Sequence, residues 1–173
     1  YDKLDTIIIS KILNIDQAAY YNISYGIFKT SQLLFSFILV AGFTRVSYLS
    51  KRTSAVIIFF KKYFIFITTI STVIFVLLIL FSETLIINIY GEKYRNSVIL
   101  LQLLALSLIP VALNNLTGIT LNGLGLYKTN LKIVCTALFL NIFSNLLLVY
   151  YLGVSGAIVS TFITELFILV AGL

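Results

Sequence analysis

The 173-residue chain contains no histidine, no tryptophan and no methionine, one cysteine and one proline. Without histidine there can be no Ser–His or Cys–His nucleophile–base pair and no histidine-ligated metal site, and no metal site is expected. A single cysteine excludes an internal disulfide framework. Cys135 lies in an apolar run and reads as a small packing residue. The absence of methionine, together with the opening Tyr1, reads as an internal piece of a longer protein. No cleavable signal peptide is visible, and a multispanning protein would need none. Charge is scarce too: 10% of the residues are charged, against about 25% in a soluble domain. There is no long hydrophilic block that could form a soluble domain, and no catalytic set, P-loop or acidic cluster that would suggest an enzyme.

What is present is apolar: 60% of the residues are hydrophobic and the mean hydropathy is +1.08. This composition defines an integral membrane protein, all-α, built as a polytopic helix bundle. Hydropathy places spans at about 20–43, 63–81, 97–121, 133–151 and 153–173, the last of which runs to the final residue. The apolar run that ends near residue 13 is too short to span alone, so 1–13 reads as part of a helix. Residues 14–19 read as a polar turn. Pro110 should kink the third span, because it removes a backbone bond and crowds the preceding turn. The second span is the greasiest and should face lipid, its Thr68, Thr69, Ser71 and Thr72 bonding back to their own helix.

The net charge of +6 reflects topology rather than nucleic-acid binding. Connections at 44–62 and 122–132 fall on one side and hold seven cations, while the other side has Lys11, Lys93 and Arg95. The positive-inside rule puts the two basic connections in the cytoplasm. Contact of 44–62 with anionic headgroups of membrane lipids follows.

Three ionisable residues fall inside apolar spans. Counting from the expected boundaries, Asp5 and Lys29 each lie about 14 Å deep and Glu165 about 18 Å, near the middle of a core about 30 Å thick. Asn22, Tyr25, Lys29, Gln32 and Ser36 form one polar stripe on an otherwise apolar helix. A stripe centred on an ammonium should face protein or a wet cavity, because lipid would cost at least a few kcal/mol. Lys29 is the candidate for binding an anion, with Gln32, Asn22, Asn114 and Asn141 as further substrate-binding candidates. Asp5 and Glu165 are candidates for setting its charge or coupling to H+ or Na+; no other cofactor is expected. A purely structural role for these charges, holding helices together, stays open. So does the role of Asn114–Asn115 and of Asn141 with Asn145, which could hydrate a cavity or bond between helices. Gly153, Gly156, Ser160 and Thr164 form a small-residue ridge best suited to close helix packing.

Several segments together carry a family resemblance: the 5–13 run with Tyr20-Tyr21, the 90–94 stretch YGEKY, the 100–106 run LLQLLAL and the 121–125 turn LNGLG. Asn141 and the 152–161 stretch LGVSGAIVST leading to Glu165 complete the set. In order and spacing the chain resembles the C-terminal lobe of Wzx-type lipid-linked oligosaccharide flippases, the polysaccharide biosynthesis proteins of the MATE-like transporter superfamily. It departs from them at Ala18-Ala19, where the family often has Gly, and at Thr44, where it often has Pro.

The resemblance implies one lobe of a two-lobe transporter, with the N-terminal lobe supplied by the rest of the same chain. It implies alternating access to a central cavity and export of an isoprenoid pyrophosphate-linked glycan for a cell-surface polysaccharide such as O-antigen. Partners would be that lipid-linked glycan and the polysaccharide polymerase machinery. The alternatives are a cation-coupled multidrug antiporter of the same superfamily and a non-transporting membrane scaffold.

Overall fold

The computed structural model describes residues 4–173, apart from the Ala41 side chain. Among these residues there are helices and no strands. The helices are α1 (Leu4–Ile12), α2 (Ile15–Leu49), α3 (Thr53–Tyr90), α4 (Asn96–Ala105), α5 (Leu108–Gly123), α6 (Tyr127–Leu152) and α7 (Val154–Gly172), with one 3-10 turn at Glu92–Tyr94. Four helices are long and apolar enough to cross a membrane, or five if α4 and α5 count as one broken span. The structure is thus an all-α polytopic membrane bundle. The first three residues of the expected 1–13 segment lie outside the described part.

The helices run past their apolar limits. The 44–62 connection expected from hydropathy is not a loop: α2 continues to Leu49, α3 begins at Thr53, and only residues 50–52 turn between them. Residues 15–19, expected as a turn, form the start of α2 behind Asn14, whose side chain accepts from the Gln17 amide at 2.8 Å. Likewise α3 persists through the expected 82–96 connection to Tyr90, where Gly91 turns the chain at φ 90°. Of the expected 122–132 connection, only residues 124–126 lie between α5 and α6. The reason is common to all four cases. A helix needs apolar side chains only inside the hydrocarbon; beyond it good helix formers carry the helix on, Gln17, Ala18 and Ala19 in α2, Glu83 and Leu85 in α3, and Lys61, Lys62, Lys128 and Lys132, whose charges reach into the headgroup layer.

The third span breaks at Leu106–Ser107, where α4 and α5 meet at 43°. Pro110 is the third residue of α5, so the break lies upstream of it rather than at it. Proline cannot bond to the Leu106 carbonyl, and its ring crowds that group, so the dislocation falls in the preceding turn.

Contacts fix which turns share an end. Gly123 at the end of α5 lies against Val46 near the end of α2, and Leu13 lies beside Gly153. Tyr20 meets Tyr94 edge to face, with ring centroids 6.1 Å apart. Turns 50–52 and 124–126 therefore mark one end, and 13–14, 91–95 and 153 the other. The first end carries Arg45, Lys51, Arg52, Lys61, Lys62, Lys128 and Lys132. At the second, exposed Arg95 bridges Glu83 and Glu92.

Helix α2 runs through the middle of the packing. Tyr21, Phe28, Phe35, Leu39 and Val46 are all almost fully buried; most steps between them are seven, which keeps one narrow seam against α4 and α5. Helix α3 is the least buried span, with 17% of its apolar centre covered against 39% for α7. Its Thr68, Thr69 and Thr72 hydroxyls donate to the carbonyls of Phe64, Ile65 and Thr68 at 2.7–2.9 Å, as expected for a lipid-facing helix. Cys135 departs from its reading as a packing residue: it is exposed on α6. Its neighbours Leu131 and Phe139 are exposed as well.

Candidate functional site

The small-residue ridge brings α6 and α7 together. A Cβ on Gly156 would collide with the Leu148 carbonyl. Next to it, the Ser144 and Ser160 hydroxyls bond to each other, and Asn141 Nδ2 donates to Thr164 Oγ1 at 3.4 Å. In a bilayer such polar pairs and close backbones replace the hydrophobic driving force between helices. Asn141 is 1% exposed and belongs to this seam. Asn145, one turn further along α6, donates to Asn141 Oδ1 at 3.3 Å.

The seam leads to Asp5. Its carboxylate accepts from Tyr21 Oη on α2 at 2.8 Å, from Asn145 Nδ2 on α6 at 2.8 Å and from Thr161 Oγ1 on α7 at 3.3 Å. One buried carboxylate thus ties α1 to three other helices, and its donors offset much of the cost of removing its charge from water. Asp5, Tyr21, Asn145 and Thr161 all lie about seven residues from the turns at 13–14 and 153, a layer about 10 Å inside.

Beside this layer is a cavity of about 380 Å³ among α1, α2, α5, α6 and α7. Its polar wall holds Asp5, Glu165, Tyr25, Gln32, Asn114 and Asn115, and it reaches Asn122 and Asn130 near the basic end. Asn130 Nδ2 donates to Asn122 Oδ1 at 3.0 Å. Phe28, Val111, Ile119, Val134 and Ile168 supply apolar wall. Asn114 Nδ2 donates to Glu165 Oε2 at 2.6 Å and to the Glu165 carbonyl at 2.8 Å, locking the carboxylate to α5. The Asn114 Oδ1 atom is buried and has no hydrogen-bond partner among the described residues. It is an acceptor set in the wall of a polar cavity.

The residues singled out from sequence therefore divide. Asp5, Glu165, Gln32 and Asn114 line the cavity. Lys29 is exposed on this lobe, between the cavity-lining Tyr25 and Gln32 on the same face of α2, and is not part of the lining itself. Asn22 is exposed and accepts from Thr6 Oγ1 at 2.7 Å, outside the lining. Asn141 lies in the α6–α7 seam. Sequence reasoning did not pick out Asn122 and Asn130 as cavity residues, nor Tyr21, Asn145 and Thr161 as the donors to Asp5. The i to i+8 spacing of asparagines along α5 (Asn114 and Asn122) was a signal that could have found the first of these.

Apolar helices around a polar, carboxylate-bearing cavity define a polytopic membrane protein. The chain belongs to a family of polysaccharide biosynthesis proteins, whose model matches residues 1–99. The chain thus has a role in polysaccharide biosynthesis. The matched segment includes α1, α2 and α3, and so Asp5, Lys29 and Gln32; the 121–125 turn, Asn141 and Glu165 lie beyond it. No curated protein and no solved structure matches the chain.

Proposed function

We propose that this lobe forms part of a flippase that moves an isoprenoid pyrophosphate-linked oligosaccharide across the cytoplasmic membrane by alternating access. The observation that carries the reading is the polar cavity at membrane depth, with the cation Lys29 beside it on α2, between the lining residues Tyr25 and Gln32. A ring of Asn, Gln and Tyr suits a glycan, since amides and phenols both donate to and accept from sugar hydroxyls. Lys29, beside that ring, supplies the positive charge a pyrophosphate requires. Asp5 and Glu165 are suited to carry H+ or Na+, whose movement would drive the cycle. The basic end, with turns 50–52 and 124–126, is cytoplasmic by the positive-inside rule. The other lobe of the same chain would close the path.

The test is polysaccharide output in cells whose only copy of the full-length protein carries Lys29→Gln or Lys29→Arg. Loss of one charge-assisted contact is worth about 1.5–3 kcal/mol, roughly ten- to a hundredfold in rate. The Gln variant should fall by that factor at normal protein level, and the Arg variant should keep a larger share of activity. Normal output from Lys29→Gln would end the reading.

One observation favours a second reading. The described lining contains two carboxylates and no Lys or Arg, which suits a cationic cargo and hence a cation-coupled drug antiporter. That reading predicts that Asp5→Asn and Glu165→Gln abolish transport while Lys29→Gln does not.

A further inference from the structure

We propose that Lys29 and Glu165 form an ion pair that bridges α2 and α7 over the cavity, and that an anionic phosphate group enters by exchange, replacing Glu165 at the ammonium. The second half rests on the flippase reading; the first does not.

Both helices start at the same end of the bundle, because Leu13 and Gly153 are neighbours there. Depths along α2 and α7 can therefore be compared. At 1.5 Å per residue, Tyr25 lies about 15 Å from the start of α2, Glu165 about 16 Å from the start of α7, and Lys29 about 21 Å from the start of α2. Helical side chains lean toward the N-terminus. A lysine stem reaches about 6 Å, so leaning back it delivers its ammonium to the level of Glu165. Asp5, near 10 Å, lies about a further turn away and already accepts from Tyr21, Asn145 and Thr161.

The lateral positions agree. Tyr25 and Gln32 flank Lys29 on its own helix face and share the cavity wall with Glu165. Asn114 occupies Oε2 of Glu165, which accounts for one of its two carboxylate oxygens. An ammonium near mid-membrane and a carboxylate within its reach lower each other's cost, and intramembrane charges pair where they can. The pair keeps the cation from lipid while the cavity is empty of substrate. A phosphate that displaces Glu165 leaves the carboxylate still held by Asn114.

The test uses the full-length protein in lipid nanodiscs, with farnesyl pyrophosphate as the probe. Thermal melting of Lys29→Met, Glu165→Gln and the double variant forms the first arm; Glu165→Gln can keep the Asn114 bonds, so folding is not at stake. A double variant that melts well above the additive expectation supports the pair. Strictly additive losses overturn it. In the second arm, Glu165→Gln should bind farnesyl pyrophosphate about fivefold or more tightly than the parent, as expected when a competing charge is removed. Equal or weaker binding overturns the exchange. A coupled melting cycle with no probe binding by either protein supports the pair, and counts against both the pyrophosphate reading and the exchange built on it.

Discussion

Asp5 shows how much a single side chain can organise at the residue scale. It was recognisable in the sequence as an acid inside an apolar run, and Tyr20-Tyr21 stood out beside it. Its donors were not legible, because Asn145 and Thr161 follow it by 140 and 156 positions and only packing of α6 and α7 against α1 brings them near. Hydrogen bonds to a charged acceptor are worth about 1.5–3 kcal/mol, more than the neutral pairs typical of membrane helices. Asn145→Ala and Tyr21→Phe should therefore each destabilise the protein by about 1–3 kcal/mol. Melting of purified protein in detergent checks this, and a change below the error of the measurement in both variants would remove Asp5 from its role as a hub. Lys29 was legible for a similar reason: a lone cation in an apolar helix is conspicuous. Glu165 was conspicuous in the same way, as an acid inside the last span, but its bond from Asn114 was not, because 51 positions separate the two residues.

Hydropathy located the elements but misplaced their ends. A hydropathy profile registers where the lipid stops, and the helices of this protein continue beyond that point at Thr53, Tyr90 and Tyr127. The break near Pro110 was expected, though its displacement to Leu106–Ser107 follows only from the backbone geometry of the turn before proline. The α6–α7 ridge was read correctly as packing, and its glycines differ in what they tolerate. Gly156 has the Leu148 carbonyl where a Cβ would go, whereas Gly26 has nothing within 4 Å. Overpacking costs about 1–3 kcal/mol, while alanine gains up to about 1 kcal/mol of helix propensity over glycine. Gly156→Ala should lower the melting temperature and reduce protein level, and Gly26→Ala should leave both unchanged or improved. Equal tolerance at the two positions would mean that α6 and α7 are not packed as closely as described.

At the scale of the whole molecule, charge and topology agree. Turns 50–52 and 124–126 share an end with seven cations, while at the opposite end Arg95 is paired with Glu83 and Glu92. In a background with Cys135→Ser, a cysteine at Lys51 should be inaccessible to a membrane-impermeant thiol reagent added outside intact cells, and one at Lys93 should be labelled. The reverse pattern would invert the protein. The α2 stripe pointed to a wet cavity, but its five-helix outline could not be read from sequence, since most of its wall is assembled from residues that no local pattern links. Its position, from a carboxylate layer at membrane depth toward the basic end, is what gives the flippase reading its path. The most direct measurement is translocation itself. The full-length protein is reconstituted in vesicles with an isoprenoid pyrophosphate-linked glycan, and the headgroup that becomes accessible to an external glycosidase is followed with time. The account predicts transfer between leaflets well above that of protein-free vesicles, reduced about tenfold or more by Lys29→Gln. Transfer no faster than in protein-free vesicles, from protein that is folded and inserted, would contradict it.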